Sequence, residues 1–392
     1  MSSVKNIFTR LFRWDYGCTA VFFILCFLHY FSQRPLWLDE DLIYQCVAKI
    51  SYSGLFNVLP NGQVFPRVQL FFIKFFSQNF AYHLLAVRLF SLAAMLGAAV
   101  LWRRIYQKEG VGGTAAVLLM LSFACSYRLT YYAAELKPYA MDVCVMAVYL
   151  LYFQSVKHIT EKNFGRFLLG SIILPLLFLF SYTVWLAGWV SPFNLLLLWL
   201  KEKFYRSLFA ASLISTAVCF AVFYYFDLQY NILQPSGVGA YWQTYFLCSK
   251  SISCFIDPFG DGIKKMATYW YGTNKSFIRA AVIFVPFFLY GLFRFGVRDL
   301  KKEKGIYTVS SLGLVLFAEI FILALLQKYP FTGERVTLFF APFVFYFIIR
   351  SIEELKKFKY VYYVFSGYYF VYCLISLVNT FLVHLALYGR SQ

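Results

Sequence analysis

The sequence contains few charged residues, and fewer of these are acidic than basic. Only 14% of its 392 residues are Asp, Glu, Lys or Arg, and 18 acidic residues stand against 36 basic ones. A soluble domain needs far more charge to cover its surface, so composition argues against an ordinary soluble protein. The sequence also has no CxxC metal spacing, no nucleotide-binding motif and no repeat at a fixed period. It therefore gives no sign of a zinc site, of nucleotide chemistry or of a transporter built from two related halves.

Apolar and aromatic residues dominate instead. Hydrophobic residues make up 61% of the chain, which contains 47 Phe and 32 Tyr, and the mean hydropathy is +0.64. Aromatic residues are enriched where membrane helices meet both interfaces. The net charge of +18 would suggest a nucleic-acid partner in a soluble protein. Here the basic residues lie in short loops between apolar runs. We therefore expect no nucleic-acid partner and instead contacts with anionic membrane lipids.

Apolar runs long enough to cross a bilayer recur along the whole chain. A hydrocarbon core needs roughly 20 apolar residues per helix. The sequence therefore predicts an all-α, polytopic membrane bundle of about eleven transmembrane helices. The expected spans lie roughly at 16–33, 82–102, 113–130, 139–156, 166–182, 184–200, 206–226, 277–297, 306–327, 336–350 and 360–386. Pro175 and Pro192 interrupt the pair at 166–200.

The distribution of lysine and arginine predicts an orientation. Lys5, Arg10 and Arg13 precede the first apolar run, which we interpret as an uncleaved first span with a cytoplasmic N-terminus. With that assignment, the short inside connections carry more than half of the 36 bases, as the positive-inside rule requires. The outside segments are then 34–81, 127–138, 227–276 and 327–335, plus a short turn near 183. Because nearly all chemically suggestive residues lie in them, we expect a site on the extracytoplasmic face of a plasma (inner) membrane.

Three consecutive acids, Asp39, Glu40 and Asp41, follow the first span directly. Carboxylates at membrane level are costly, which favours a function as a general base or as ligands of a divalent cation such as Mg²⁺ or Mn²⁺. The alternative is that they only cap the helix that follows, since acids favour helix N-termini.

The same outer loop predicts two amphipathic helices lying in the membrane interface. Apolar residues between Leu42 and Ile50 repeat at helical spacing. A second pattern places Phe71, Phe72, Phe75 and Phe76 on one face of a helix, with Gln69, Lys74 and Gln78 off it. Pro60-Asn61-Gly62 predicts the turn between the two helices.

Two later outer segments carry cations among tyrosines. Arg128, Glu135 and Lys137 lie between two spans, where they form either a polar wall of a cavity or a salt-bridged interfacial anchor. Arg335 lies at the start of a late span. Its guanidinium either binds a phosphate or only extends along the helix to the membrane interface. Glu319 lies inside a span and is expected to face the bundle, paired or protonated.

The long loop at 227–276 combines charges with exposed aromatic rings, a pattern that suits sugar or headgroup binding as well as any interfacial loop. Cys248 and Cys254 lie in this loop and could pair if it is extracytoplasmic. The other seven cysteines are expected to be packing residues.

Three motifs together resemble the GT-C superfamily of membrane glycosyltransferases, which use polyprenyl-phosphate sugars. The likeness is greatest to the bacterial branch similar to protein O-mannosyltransferases and the lipid A aminoarabinose transferase. The motifs are Pro35–Glu40 (PLWLDE), Glu135–Ala140 (ELKPYA) and Tyr329–Pro342 (YPFTGERVTLFFAP). They resemble, in order, the family's first-loop acidic pair, its Glu-x-Arg-Pro-Tyr segment and its late Arg-to-Pro segment. Lys137 stands where the family usually has Arg, so the bidentate fork is missing there.

The resemblance implies a conserved catalytic transmembrane module at 1–226 that includes the first outer loop, an outer loop at 227–276 and C-terminal helices at 277–392. It implies Asp39 as the catalytic acid–base residue with Glu40 as its helper, and cations around the donor phosphate. The donor-phosphate residues expected on this basis are Arg335, Lys137 and Arg128, and the substrate-binding residues are Glu135, Tyr139, Asp41 and Tyr329.

The expected reaction is transfer of a sugar from a polyprenyl-phosphate donor to a hydroxyl acceptor. A lipid or glycan acceptor is favoured over a folded protein, because the sequence shows no large soluble C-terminal domain. A transporter or flippase of lipid-linked sugars is the alternative; it should place its charges at mid-membrane depth and show internal symmetry. A structural membrane protein without chemistry is a third reading, and it should tolerate mutation of the outer acids.

Overall fold

The computed structural model describes residues 14–57, 59, 65–80, 83–226, 243–248, 251–271 and 275–390. Every regular element in these residues is helical, as the sequence predicts. The helices of the first half are α1 Trp14–Phe31, α2 Leu38–Lys49, α3 Arg67–Asn79, α4 His83–Lys108, α5 Gly113–Cys125, α6 Tyr127–Tyr132, α7 Tyr139–Val156, α8 Phe164–Ile173, α9 Val184–Gly188, α10 Val190–Trp199 and α11 Arg206–Phe223. Those of the second half are α12 Ile252–Thr268, α13 Lys275–Ala281, α14 Val285–Glu303, α15 Val309–Leu325, α16 Ala341–Glu354 and α17 Lys359–Arg390.

Short 3₁₀ segments join or extend several of these helices. One of them, Leu174–Leu179, begins where Pro175 interrupts the helix that starts at Phe164. Proline removes a backbone donor and clashes with the preceding turn, so α8 cannot continue through this position. Further 3₁₀ segments are Ser53–Phe56, Glu161–Asn163, Lys203–Tyr205, Gln243–Tyr245, Tyr269–Tyr271, Val282–Phe284, Arg335–Phe340 and Leu355–Lys357.

The described helices make the chain a multi-pass membrane protein. Eight helical stretches are long and apolar enough to cross a bilayer, and three shorter apolar helices lie at Gly113–Cys125, Val184–Trp199 and Val309–Leu325. Their positions follow the expected spans, while the full count of eleven crossings stays a prediction. Large apolar side chains remain exposed along the outermost helices, including Val364, Ile375 and Leu382 of α17. Lipid tails can cover such a surface, whereas water would not.

The centre of the bundle is α16, which is buried along most of its length against α14, α15 and α5. Small residues allow this close packing. A side chain at Gly291 of α14 would meet the Phe347 backbone, and one at Gly313 of α15 would meet the Phe347 ring. In lipid, helix association depends on such close contacts, because burial from water does not drive it. In the first half, α4 packs chiefly against α7.

The first loop contains the two predicted helices, α2 and α3, and α3 is oriented with its polar residues toward the protein. Phe71 and Phe75 are exposed, whereas Gln69 and Lys74 are buried. The Lys74 Nζ donates to the Val47 carbonyl oxygen of α2 at 2.7 Å. An outward apolar face suits a helix whose surroundings are lipid. The predicted turn at Pro60-Asn61-Gly62 lies outside the described residues.

The predicted loop at 227–276 is not a loop throughout. Residues 227–242 lie outside the described residues, but α12 occupies Ile252–Thr268. The Ser251 hydroxyl caps this helix by accepting from the Cys254 N–H at 3.3 Å. Cys248 and Cys254 form a disulfide with their Cα atoms 5.5 Å apart.

Four segments that are distant in sequence meet at one end of the bundle, which we call the Asp39 end. The first loop reaches the 127–138 segment through Arg34 and Glu135, and reaches the late turn through Asp39 and Arg335. The late turn in turn contacts the 243–248 segment, because the Phe331 N–H donates to the Tyr245 carbonyl oxygen at 2.9 Å. The described parts of these segments therefore lie together, while their placement on the extracytoplasmic side stays a prediction.

Candidate functional site

The three acids lie in the first turn of α2 and point in different directions. The helix begins at Leu38, after an extended Trp37, so Asp39, Glu40 and Asp41 are consecutive helical residues. Consecutive residues of an α-helix are separated by about 100° around its axis. The three carboxylates therefore face three different environments.

Glu40 faces the protein interior. Its carboxylate is fully buried and accepts from Arg34 Nη1 at 2.7 Å, from Arg88 Nη2 at 3.1 Å and from the Leu136 N–H at 2.7 Å. A buried carboxylate is tolerable only when it is paired and hydrogen-bonded, as it is here. Glu40 thus joins the first loop to α4 and to the 127–138 segment.

Glu135 completes this buried network. Its Oε1 accepts from Arg34 Nη2 at 3.4 Å, and its Oε2 has no hydrogen-bond partner in the described structure. Burial and the neighbouring Glu40 charge raise the pKa of the Glu135 carboxyl to about 7, although Arg34 and Lys137 oppose the rise. Arg34 also lies over the Tyr131 ring, 4.9 Å from its centroid. We call Arg34, Glu40, Arg88 and Glu135 the buried network.

Asp39 faces a second group of cations that is partly open to solvent. Its Oδ2 accepts from Arg335 Nη1 at 2.9 Å and lies 3.8 Å from Lys137 Nζ. The side chain of Asp39 is 27% exposed, compared with 0% for Glu40. Arg335 also lies over the Trp37 ring, 5.6 Å from its centroid. We call Asp39, Lys137 and Arg335 the Asp39 cluster.

The Asp39 cluster combines one carboxylate with two cations, the Arg335 guanidinium and the Lys137 ammonium. Burial lowers the pKa of Lys137, an effect that the Asp39 charge opposes. A guanidinium and an ammonium that lie side by side, with partial access to solvent, are suited to bind an anion such as a phosphate.

The other predicted site residues lie around these two groups with different partners. Asp41 accepts from Gln45 Nε2 at 2.6 Å, one helical turn along α2. Arg128 lies 4.3 Å from the Tyr269 ring centroid and 5.5 Å from that of Tyr127, so in the described structure its guanidinium is directed to these rings. The structure therefore brings Lys137 and Arg335 to Asp39, while the phosphate role of Arg128 stays a prediction.

The two predicted tyrosines lie beside the Asp39 cluster. The Tyr329 hydroxyl donates to the Val336 carbonyl oxygen at 2.6 Å, which fixes the turn that carries Arg335. The Tyr139 ring packs edge-on against Tyr132 at 5.1 Å. Substrate contact by either residue stays a prediction.

Several residues of this region were not singled out from the sequence. Arg88 and Asp142 are charged residues inside predicted spans, and that alone was a usable signal, because such residues are rarely there without a role. Asp142 accepts from the Ser181 hydroxyl at 2.5 Å. Arg34 was visible only as a residue flanking the first span, and its partners Glu40 and Glu135 could not be inferred from spacing.

The residues present do not fit a divalent cation at the three acids. Asp39, Glu40 and Asp41 diverge, and each carboxylate already accepts from other side chains. Within the described ranges, no three His, Cys, Asp or Glu side chains come together as a metal would need. Mg²⁺ and Ca²⁺ sites need several converging oxygens.

Two cavities in the described structure lie away from the Asp39 cluster. One of about 110 Å³ is lined by apolar residues of the first loop and α11, together with Arg67. A larger one of about 570 Å³ lies at the opposite end of the bundle beside Asp15 and Gly112. In the Asp39 cluster, the side chains of Asp39 and Arg335 are 27% and 20% exposed.

Comparison of the chain with protein-family models, with curated proteins and with solved structures finds no match. The chemistry of the Asp39 cluster therefore rests on the geometry of its own residues.

Proposed function

We propose that this protein is a membrane glycosyltransferase that transfers a sugar from a polyprenyl-phosphate donor to a hydroxyl acceptor. The observation that carries the proposal is the meeting of Asp39, Lys137 and Arg335 from three segments distant in sequence. The cluster joins a carboxylate that can take a proton to two cations that can bind a phosphate. The order of the three motifs along the chain, which resembles the GT-C superfamily, supports the same function.

The proposed reaction is a single displacement at the anomeric carbon. The acceptor oxygen forms a bond to this carbon as the bond to the phosphate oxygen breaks, and the acceptor proton passes to the Asp39 carboxylate. The electron pair of the broken bond leaves with the polyprenyl phosphate. Arg335 and Lys137 stabilise the negative charge that grows on this leaving group. The donor phosphate would compete with Asp39 for Arg335, which would free the carboxylate to act as a base.

We place this site on the extracytoplasmic face of the plasma membrane, with the N-terminus in the cytoplasm. The distribution of lysine and arginine supports this orientation. The Cys248–Cys254 disulfide supports it independently, because it lies at the Asp39 end and disulfides persist in oxidising compartments. The acceptor is then a lipid or glycan of the cell envelope.

The test uses purified protein in nanodiscs with a panel of polyprenyl-phosphate sugars, and it follows release of polyprenyl phosphate. We expect Asp39→Asn to lower turnover at least about a thousandfold, because the amide cannot accept the acceptor proton. Asp257→Asn is a matched control, since this exposed acid lies on α12 at the same end. Full activity of Asp39→Asn would contradict the mechanism. Absence of turnover with every donor, together with movement of the lipid between leaflets, would favour the flippase instead.

A further inference from the structure

The turn that carries Arg335 rests on the segment formed by residues 243–248 and α12, which we call the brace. Phe331 at the start of this turn is almost fully buried, and its N–H donates to the Tyr245 carbonyl oxygen at 2.9 Å. The Phe331 ring also stacks on Phe259 of α12, with ring centroids 5.5 Å apart. The turn is therefore held by both parts of the brace.

Gly333 brings the backbone of the turn onto the backbone of α12. A Cβ built at Gly333 would clash with the Lys265 carbonyl group of α12. Because the obstacle is helix backbone, any larger residue would have to displace the turn. Gly333, which lies two residues before Arg335, thus allows the turn to approach the α12 backbone closely.

Lys265 connects the same elements through its side chain. Its Nζ lies 2.9 Å from Asp261, 3.7 Å from Glu334 and 4.6 Å from the Tyr245 ring centroid. The Cys248–Cys254 disulfide then closes the brace, since it joins the chain just after Tyr245 to the first turn of α12. The disulfide therefore joins the two parts of the brace, and Lys265 joins both of them to the turn.

We propose that the brace positions Arg335 against Asp39, with Lys265 and Gly333 as positioning residues. The inference rests on the proposed function, in which Arg335 binds the donor phosphate. Glu334 directly precedes Arg335, so a shift of the turn displaces the guanidinium from the phosphate site. Displacements near 1 Å at a reacting group can change rates by about a hundredfold.

The test compares Lys265→Gln with Lys264→Gln, which removes the same charge from the exposed neighbouring position of α12. We expect Lys265→Gln to raise the donor KM about tenfold, Lys264→Gln to leave it unchanged, and Lys265→Arg to restore most of the affinity. Gly333→Ala should produce a larger rise, and Gly260→Ala is its control because a Cβ there meets only open space.

Hydrogen exchange of residues 329–340 is measured in the same variants and requires no substrate. Faster exchange in Lys265→Gln than in Lys264→Gln is expected, because the brace would no longer hold the turn. Equal exchange and equal donor KM in these two variants would overturn the proposal. Raised exchange with an unchanged donor KM would overturn the positioning role. A wild type that turns over no donor would contradict the proposed function alone, since exchange still decides whether the brace holds the turn.

Discussion

Asp39 and Glu40 are neighbours in the chain, yet they lie in opposite environments. Glu40 is fully buried and enclosed by two arginines and a backbone donor. Asp39 is partly exposed and lies beside Arg335 and Lys137. One helical turn thus supplies a carboxylate that joins segments and a carboxylate that remains available to a ligand. The resemblance implies catalysis by both residues, whereas the geometry places the two carboxylates in different environments.

The buried network also fixes the backbone on which the Asp39 cluster depends. Glu40 accepts from the N–H of Leu136, and the residues next to these two in sequence are Asp39 and Lys137. Holding Glu40 against Leu136 therefore holds Asp39 near Lys137. A buried ion network can set geometry in this way even when it adds little net stability.

The sharpest way to test this comparison is to remove each acid in turn and measure stability. We expect Glu40→Gln to destabilise the protein by about 3–5 kcal/mol, because it leaves Arg34 and Arg88 without their shared buried partner. Asp39→Asn should leave the apparent melting temperature within a few degrees of wild type, since its ion pairs are partly exposed and such pairs contribute little. Thermal unfolding in detergent measures both.

Asp41→Asn controls for the loss of a carboxylate from the same helical turn. Asp41 accepts a hydrogen bond from Gln45 on the exposed side of α2, so its loss should change stability by less than about 0.5 kcal/mol. If Glu40→Gln proved as stable as Asp41→Asn, the distinction between the two environments would not hold.

The sequence was sufficient to predict a helical, multi-pass membrane protein and to group the charged segments that meet at the Asp39 end. Both follow from local properties, namely runs of roughly 20 apolar residues and the placement of bases in short loops. The three acids were also visible at once. The different environments of the three acids were not visible, because they depend on partners such as Arg88, Leu136 and Arg335. Only packing of the bundle brings these partners close.

The brace shows a second limit of sequence reasoning. Its helix α12 contains Pro258 and two glycines, which weaken a helical prediction. The helix forms because tertiary contacts of Phe259, Ile263 and Met266 with the bundle outweigh this propensity. Likewise, only the structure shows that Gly333 is needed for contact with the α12 backbone.

The protonation of Glu135 offers a second test of the buried network. Its pKa of about 7 lies above the value near 4.5 that it has in an unfolded chain. Between these values the folded protein binds more protons than the unfolded chain, so the contribution of Glu135 to stability falls as pH rises and is level above about pH 7. Glu135→Gln removes this dependence.

We therefore expect Glu135→Gln to gain stability relative to wild type by about 2–3 kcal/mol between pH 5 and pH 8, given 1.36 kcal/mol per pK unit. Melting temperatures measured across this range decide the point, with Asp257→Asn as the control for an exposed carboxyl. A difference between Glu135→Gln and wild type that did not change with pH would show that Glu135 is ionised throughout the range.

The smallest expected effect concerns the shape of the cation in the Asp39 cluster. Arg335→Lys keeps the positive charge beside Asp39 but loses the planar fork that binds a phosphate through two parallel hydrogen bonds. We expect the donor KM to rise about tenfold, or about 1.4 kcal/mol, with little change in melting temperature. Arg298→Lys at the opposite end of the bundle is the control, because this exposed arginine forms an ion pair with the adjacent Asp299. An unchanged donor KM in Arg335→Lys would contradict the role of the planar fork, because it would show that a point charge at this position is sufficient to bind the donor phosphate.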